Sequence, residues 1–177
     1  MGSGKFLGYL ITTQGIEANP DQITAIQQLR PPNNPKEIQK VIGMIATLER
    51  FVSRLGDRCR FVSRLKKWKG FRWMEECDSA FKDLKSYLAS PPILTRPNLG
   101  EDLYMYLAVS NHIVSSMLIR QCEGIQRPMY YLSETLVDAE TRYLPLEKMT
   151  LALVHATRKL PYYFQAHTLW LLIEYPL

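Results

Sequence analysis

The sequence predicts an α+β chain in two parts: a β-hairpin with a helical unit, then a small sheet running strand, strand, strand, helix, strand. Three observations predict it. Apolar residues recur at three- and four-residue steps from Ile38 to Leu55, which marks one buried helix face. Three β-rich runs lie between residues 103 and 132, separated by short turns. A helical stretch at 146–160 then leads into a last β-rich run at 168–173. At 177 residues the chain is long enough for one good core or two small ones.

The first part begins with an apolar run at 6–12, read as one strand, with a turn at Gly15 and a short return at 16–18. Asn19-Pro20-Asp21 opens a helix to about Leu29, with Pro20 in the first turn. Pro31-Pro32 stops it. Asn34 caps the next helix, Pro35 takes its first position, and Glu37 stands three residues after the cap as in a capping box. Ile38, Val41, Ile42, Ile45, Leu48, Val52 and Leu55 carry that helix as far as Gly56-Asp57.

In the second part, Cys77, Phe81, Leu84 and Leu88 mark a helix over 75–89, ended by Ser90-Pro91-Pro92. Glu75, Glu76 and Asp78 fall in its first turn, where the helix dipole favours acids, so a metal site is not expected there. Runs 103–110 and 114–121 form a hairpin around Asn111-His112. Cys122-Glu123-Gly124 turns the chain into a third strand at 128–132. Leu146, Met149, Leu153 and Ala156/Thr157 give the following helix its apolar face, and the strand at 168–173 is expected beside the first strand of this sheet.

Composition narrows the function classes. The apolar fraction of 46% is that of an ordinary globular protein. No apolar run approaches the roughly 20 residues that span a bilayer, and no secretory signal is legible, so no membrane partner is expected. Cys59, Cys77 and Cys122 are odd in number and far apart, which suits reduced thiols of an intracellular protein, cytoplasmic or nuclear. They and the scattered His112, His155 and His167 show no metal-ligand spacing.

The net charge of +5 is unevenly spread. Arg50, Arg54, Arg58, Arg60, Arg64, Lys66, Lys67, Lys69 and Arg72 stand against Asp57 alone, so this window carries +8 and the other residues sum to −3. Trp68, Phe71 and Trp73 are interleaved with them. Such a patch attracts phosphate backbones, and its rings can stack on bases. A solvated helix flank with anchoring aromatics explains the same pattern equally well. Arg-Phe-Val-Ser-Arg-Leu occurs at 50–55 and again at 60–65, and nothing physical explains the repeat. By contrast, residues 103–122 contain no Asp or Glu at all.

Several ordered blocks resemble one family. Ser3-Gly4-Lys5-Phe6-Leu7-Gly8-Tyr9, then Gly15-Ile16-Glu17-Ala18-Asn19-Pro20-Asp21-Gln22-Ile23, resemble the palm–thumb junction of reverse transcriptases from gypsy-type LTR retrotransposons, particularly those of plants. Pro35-Lys36-Glu37-Ile38-Gln39 with Ile42-Gly43 resembles the thumb helix that follows. Phe71-Arg72-Trp73, Pro91-Pro92-Ile93-Leu94, Pro128-Met129-Tyr130-Tyr131-Leu132-Ser133, Ala139-Glu140-Thr141-Arg142-Tyr143 and Leu146-Glu147-Lys148 resemble the RNase H-like region of the same Pol polyproteins. The resemblance implies a palm end and thumb-like region over 1–70 and a truncated RNase H-like, or connection, domain over 71–177, with an incomplete β-β-β-α-β sheet.

The departures from the family matter most. The polymerase aspartates belong to a Tyr-x-Asp-Asp turn that this chain does not contain. An active RNase H of the family holds two Mg ions with four carboxylates. Its first strand reads Thr-Asp-Ala-Ser; here Leu107-Ala108-Val109-Ser110 stands there, with Ala108 in place of Asp. The catalytic Glu of its helix follows a Glu-Lys opening by two residues; here Glu147-Lys148 is followed by Met149. Glu174 matches a third carboxylate, and the fourth lies beyond Leu177. One carboxylate cannot organise Mg, which keeps its waters and needs several oxygens, so no cofactor is expected. Ala108 and Met149 are expected to be buried. The resemblance implies a catalytically silent fragment that is structural or touches an RNA/DNA duplex through the basic run, its partners being that duplex and the rest of a Pol polyprotein. A host-adopted protein-interaction module and a residual hybrid ribonuclease stand as alternatives.

Overall fold

The computed structural model describes residues 4–6, 8–59 and 75–173. The chain forms two compact units, one ending at Ile93 and the other beginning at Leu94. The division expected from sequence, between residues 70 and 71, falls outside the described residues.

The first unit opens with a three-stranded antiparallel meander of β1 (Gly4–Phe6), β2 (Tyr9–Ile11) and β3 (Ile16–Ala18). The single strand expected over 6–12 is therefore two. Gly8 breaks it: at φ 83° it takes a left-handed turn that a side chain would strain. Helix α1 (Pro20–Gln27) starts where the sequence places it, with Asn19 Oδ1 accepting from Asp21 N at 3.0 Å.

Helix α2 (Pro35–Ala46) is capped by Asn34, whose Oδ1 accepts from Glu37 N at 2.9 Å. Glu37 reaches back to Asn33 N at 2.7 Å, one residue earlier than a capping box has it. The helix expected to run on to Leu55 instead ends at Thr47. The Thr47 hydroxyl turns back onto Met44 O at 2.7 Å, and Leu48 N bonds Ile45 O as in a 3₁₀ turn. A 3₁₀ turn at Glu49–Phe51 and a single helical turn, α3 (Leu55–Arg58), complete the path. Leu48, Phe51 and Val52 are still fully buried, because tighter winding returns them to the same side. Helix α4 (Glu75–Leu88) buries Cys77, Phe81, Leu84 and Leu88, the face read from sequence.

The second unit is a four-stranded sheet in the order β6-β5-β4-β7, formed by β4 (Leu103–Val109), β5 (Ile113–Cys122), β6 (Ile125–Thr135) and β7 (Leu169–Leu172). Neighbours are antiparallel except β4 and β7, which run parallel from Leu103↔Leu169 to Tyr106↔Leu172. The expected placement of the last strand beside the first is the one observed. Between β5 and β6 the two-residue turn puts Glu123 at φ 51° and Gly124 at φ 78°, the pair of left-handed residues that such hairpins need. Strand β6 is longer than expected and runs through Pro128. A register shift there leaves Met129 as the extra residue, and Pro128 O accepts Thr95 N at 2.8 Å from the segment along the sheet margin.

Helix α5 (Pro145–Lys159) and the short α6 (Pro161–Ala166) cross from β6 to β7. Leu103, Met105, Leu118 and Met129 of the sheet pack with Ala156 and Leu160. The face expected on α5 is rotated: Leu146 is 48% exposed, and the buried stripe is Lys148, Ala152 and Ala156 at four-residue steps.

Candidate nucleic-acid interface and a neutral catalytic frame

The candidate residues read from the sequence fall in two places: the basic segment that follows α2, and the positions where the resemblance would put metal-binding acids.

In the basic segment, two of the described residues lie over tyrosine rings. The Arg50 guanidinium sits over the Tyr9 ring, 5.1 Å from its centre. Arg58 lies over the Tyr87 ring at 4.2 Å, and its Nε donates to Ser53 O at 3.2 Å. Arg54 is exposed and has φ 53°, a left-handed backbone that a non-glycine residue adopts at some cost. Arg60, Arg64, Lys66, Lys67, Trp68, Lys69 and Arg72 lie outside the described residues.

Tyr87, on the last turn of α4, gave no functional signal in the sequence. Its hydroxyl donates to Phe51 O at 3.0 Å and accepts from Ser53 N at 3.3 Å. A second tie lies at the start of that unit. Lys85 Nζ donates to Gln27 O at 3.0 Å and to Leu29 O, while Gln27 Nε2 donates to Lys85 O. The carbonyls that end α1 thus receive a cation, where a helix dipole favours one. Burial holds the Lys85 pKa below the ordinary lysine value. Burial likewise pushes the Cys59 thiol up to about 12, against the opposing pull of Arg58.

Between α1 and α2 lies a shallow groove of about 390 Å³, lined among others by Gln22, Lys40, Gly43 and Met44. Gly43 sits mid-helix, and a Cβ there would meet nothing within 4 Å. Packing within the described residues therefore does not require this glycine, although glycine weakens a helix interior.

The catalytic frame departs from expectation in one respect. Ala108 and Met149 do not bury: Ala108 is exposed and Met149 half-buried. Among the described residues β7 pairs with β4 as far as Tyr106, and the cross-strand row of Ala108 consists of Ser115 and Ser133, too small to cover it. Met149 lies one step round the helix from the buried stripe. The residue that buries beside it is Lys148, 6% exposed, with Nζ 3.5 Å from Asn111 O in the β4–β5 turn. Glu174 lies outside the described residues. Among the described residues, no group of three or more His, Cys, Asp or Glu comes together to hold a metal ion. A methyl group, a thioether and a buried ammonium do not fit a divalent cation.

Comparison with known proteins gives the family. Residues 73–170, more than half of the chain, match the family model described as the RNase H-like domain found in reverse transcriptase. The Pol polyprotein of transposon 297 from Drosophila melanogaster is 30% identical over 160 residues, covering 89% of this chain and 15% of that polyprotein. That of transposon opus, from the same fly, is 28% identical over 162 residues, covering 85% and 16%. The Tf2-3 polyprotein of Schizosaccharomyces pombe is 23% identical over 164 residues, covering 92% and 12%. The chain spans about a sixth or less of the length of these relatives. In fold it matches the foamy viral protease-reverse transcriptase, solved in complex with an RNA/DNA hybrid, with a TM-score of 0.83 at 21% identity, over 99% of this chain and 24% of that one. A second structure of that enzyme, in complex with double-stranded DNA, gives a TM-score of 0.84 at 21% identity, over 99% and 31%. The chain belongs to the family of RNase H-like domains found in reverse transcriptases.

Proposed function

We propose that this chain is a catalytically silent piece of a retrotransposon Pol polyprotein, of the gypsy type that the plant-like sequence blocks suggest, and that it holds an RNA/DNA duplex without cutting it. The observation that carries this reading is the pair Ala108 and Met149: both family metal positions among the described residues lack a carboxylate. Without several acids to fix a divalent cation, no water is activated and no leaving oxygen is stabilised. What remains useful is the frame itself and the basic segment from Arg50 to Arg72. The fold neighbour solved on an RNA/DNA hybrid supports a duplex as the ligand.

The test measures binding and cutting together on a labelled RNA/DNA hybrid. Binding is expected to weaken steeply as salt rises. Neutralising Lys66, Lys67 and Lys69 is expected to reduce the slope of log K against log salt by up to about 3, near one for each phosphate that loses its cation. No RNA cleavage is expected at millimolar Mg or Mn. Affinity that stays flat with salt would remove the duplex reading and favour a protein-interaction module. Metal-dependent cutting abolished by Glu174→Gln would remove the silent one.

A further inference from the structure

We infer that Tyr87 is a positioning residue for nucleic-acid contact: it stitches the loop after α2 so that Arg54 is presented to a phosphate. This rests on the duplex-holding reading above and adds a residue to it that lies outside the basic run.

The loop at 51–54 belongs to no helix or sheet beyond its 3₁₀ turn, so its backbone groups need partners elsewhere. Tyr87 supplies two of them from one hydroxyl, donating to Phe51 O and accepting from Ser53 N at 3.0 and 3.3 Å. The same ring carries the Arg58 guanidinium at 4.2 Å, and Arg58 Nε closes onto Ser53 O at 3.2 Å. Residues 51 and 53 are therefore held by the hydroxyl, and residue 53 again by a cation stacked on the ring. The next residue, Arg54, stands in the left-handed region at φ 53° with its side chain exposed. Such a conformation persists only where the surroundings over-determine it, and it clusters at binding sites. An Asn or Gly would adopt it at lower cost but would bring no charge. A residue both strained and cationic, at the start of a run of basic residues, is suited to a fixed phosphate contact, because a preordered backbone loses less entropy on binding.

Tyr87→Phe removes one oxygen and leaves the ring under Arg58. With the full chain and a short labelled RNA/DNA hybrid, this variant is expected to bind about three- to tenfold more weakly at moderate salt, the loss that one or two hydrogen bonds can carry. Arg54→Ala is expected to lose a similar factor, and the double variant no more than Arg54→Ala alone, since both act through one contact. Hydrogen exchange gives a second readout free of nucleic acid: the Ser53 amide is expected to be protected in the wild type and to exchange faster in Tyr87→Phe. An unprotected wild-type Ser53, or a Tyr87→Phe chain that binds hybrid as the wild type does, would overturn the inference and leave the duplex reading standing. A wild-type chain that does not bind hybrid at all would sink both.

Discussion

At the scale of single residues, Asn19 and Asn34 act on amides two or three positions along the chain, whereas Tyr87 acts on a loop more than thirty positions away. The Asn19 and Asn34 caps could be read because a cap needs only its neighbours. Tyr87 could not, because its two backbone partners lie 34 and 36 residues away. Ala108 and Met149 could be identified as neutral but not located by depth, since the exposure of Ala108 depends on the small Ser115 and Ser133 across the sheet. Cys59 offers a test at this scale. A thiol pKa raised from 9.0 to about 12 means that the folded chain keeps its proton where the unfolded chain releases it. The stabilisation that follows is complete below pH 9 and is lost as pH climbs toward 12. The stability gap between wild type and Cys59→Ala is therefore expected to shift against the wild type from about pH 8 to about pH 11 in urea titrations. Comparison with the variant isolates Cys59 from Lys85, whose lowered pKa favours the folded state as pH rises toward 10.5. A gap independent of pH would show that the thiol titrates normally.

At the scale of elements, periodicity located most helices and strands and misjudged where they break. The stripe from Ile38 to Leu55 is a true buried face, but the backbone beneath it changes from α to 3₁₀ at Thr47, and a hydrophobic pattern is nearly blind to that change. The strand over 6–12 failed for a related reason: Gly8 sits inside an otherwise continuous apolar run, which hides the turn. The α5 face failed because Lys148 buries its stem and finds Asn111 O, a use of lysine that polarity alone assigns to solvent. The tie between α1 and α4 is a testable element-level contact. Lys85→Met keeps the stem and removes the ammonium from Gln27 O and Leu29 O, and a loss of about 1–2 kcal/mol is expected in chemical denaturation. Adding Gln27→Ala should cost less in that background than in the wild type, because each side chain donates to the other residue's backbone carbonyl and so helps to hold its partner in place. Additive losses would mean that the two bonds act independently.

At the scale of the whole molecule, an α+β chain with a β-β-β-α-β second half was legible, because turn residues, helix caps and β-rich runs agree along the chain. The two units form around separate cores, each described by its own set of buried residues. The neutral frame makes a prediction for the molecule in bulk. A ligand that binds only the folded state raises its melting temperature, and neither Ala108 nor Met149 can bind a cation. Adding Mg at millimolar concentration is therefore expected to leave the melting temperature where an equal ionic strength of sodium salt puts it. A specific rise of several degrees would reveal an ion site. The turn at Glu123-Gly124 has a different use. Its residues are exposed, and the backbone there is committed only to reversing direction. Such a tip is where a foreign segment is best tolerated. A fluorophore-binding peptide spliced between those two residues would report on the second unit's folding while leaving every residue of the basic segment, Ala108 and Met149 unchanged.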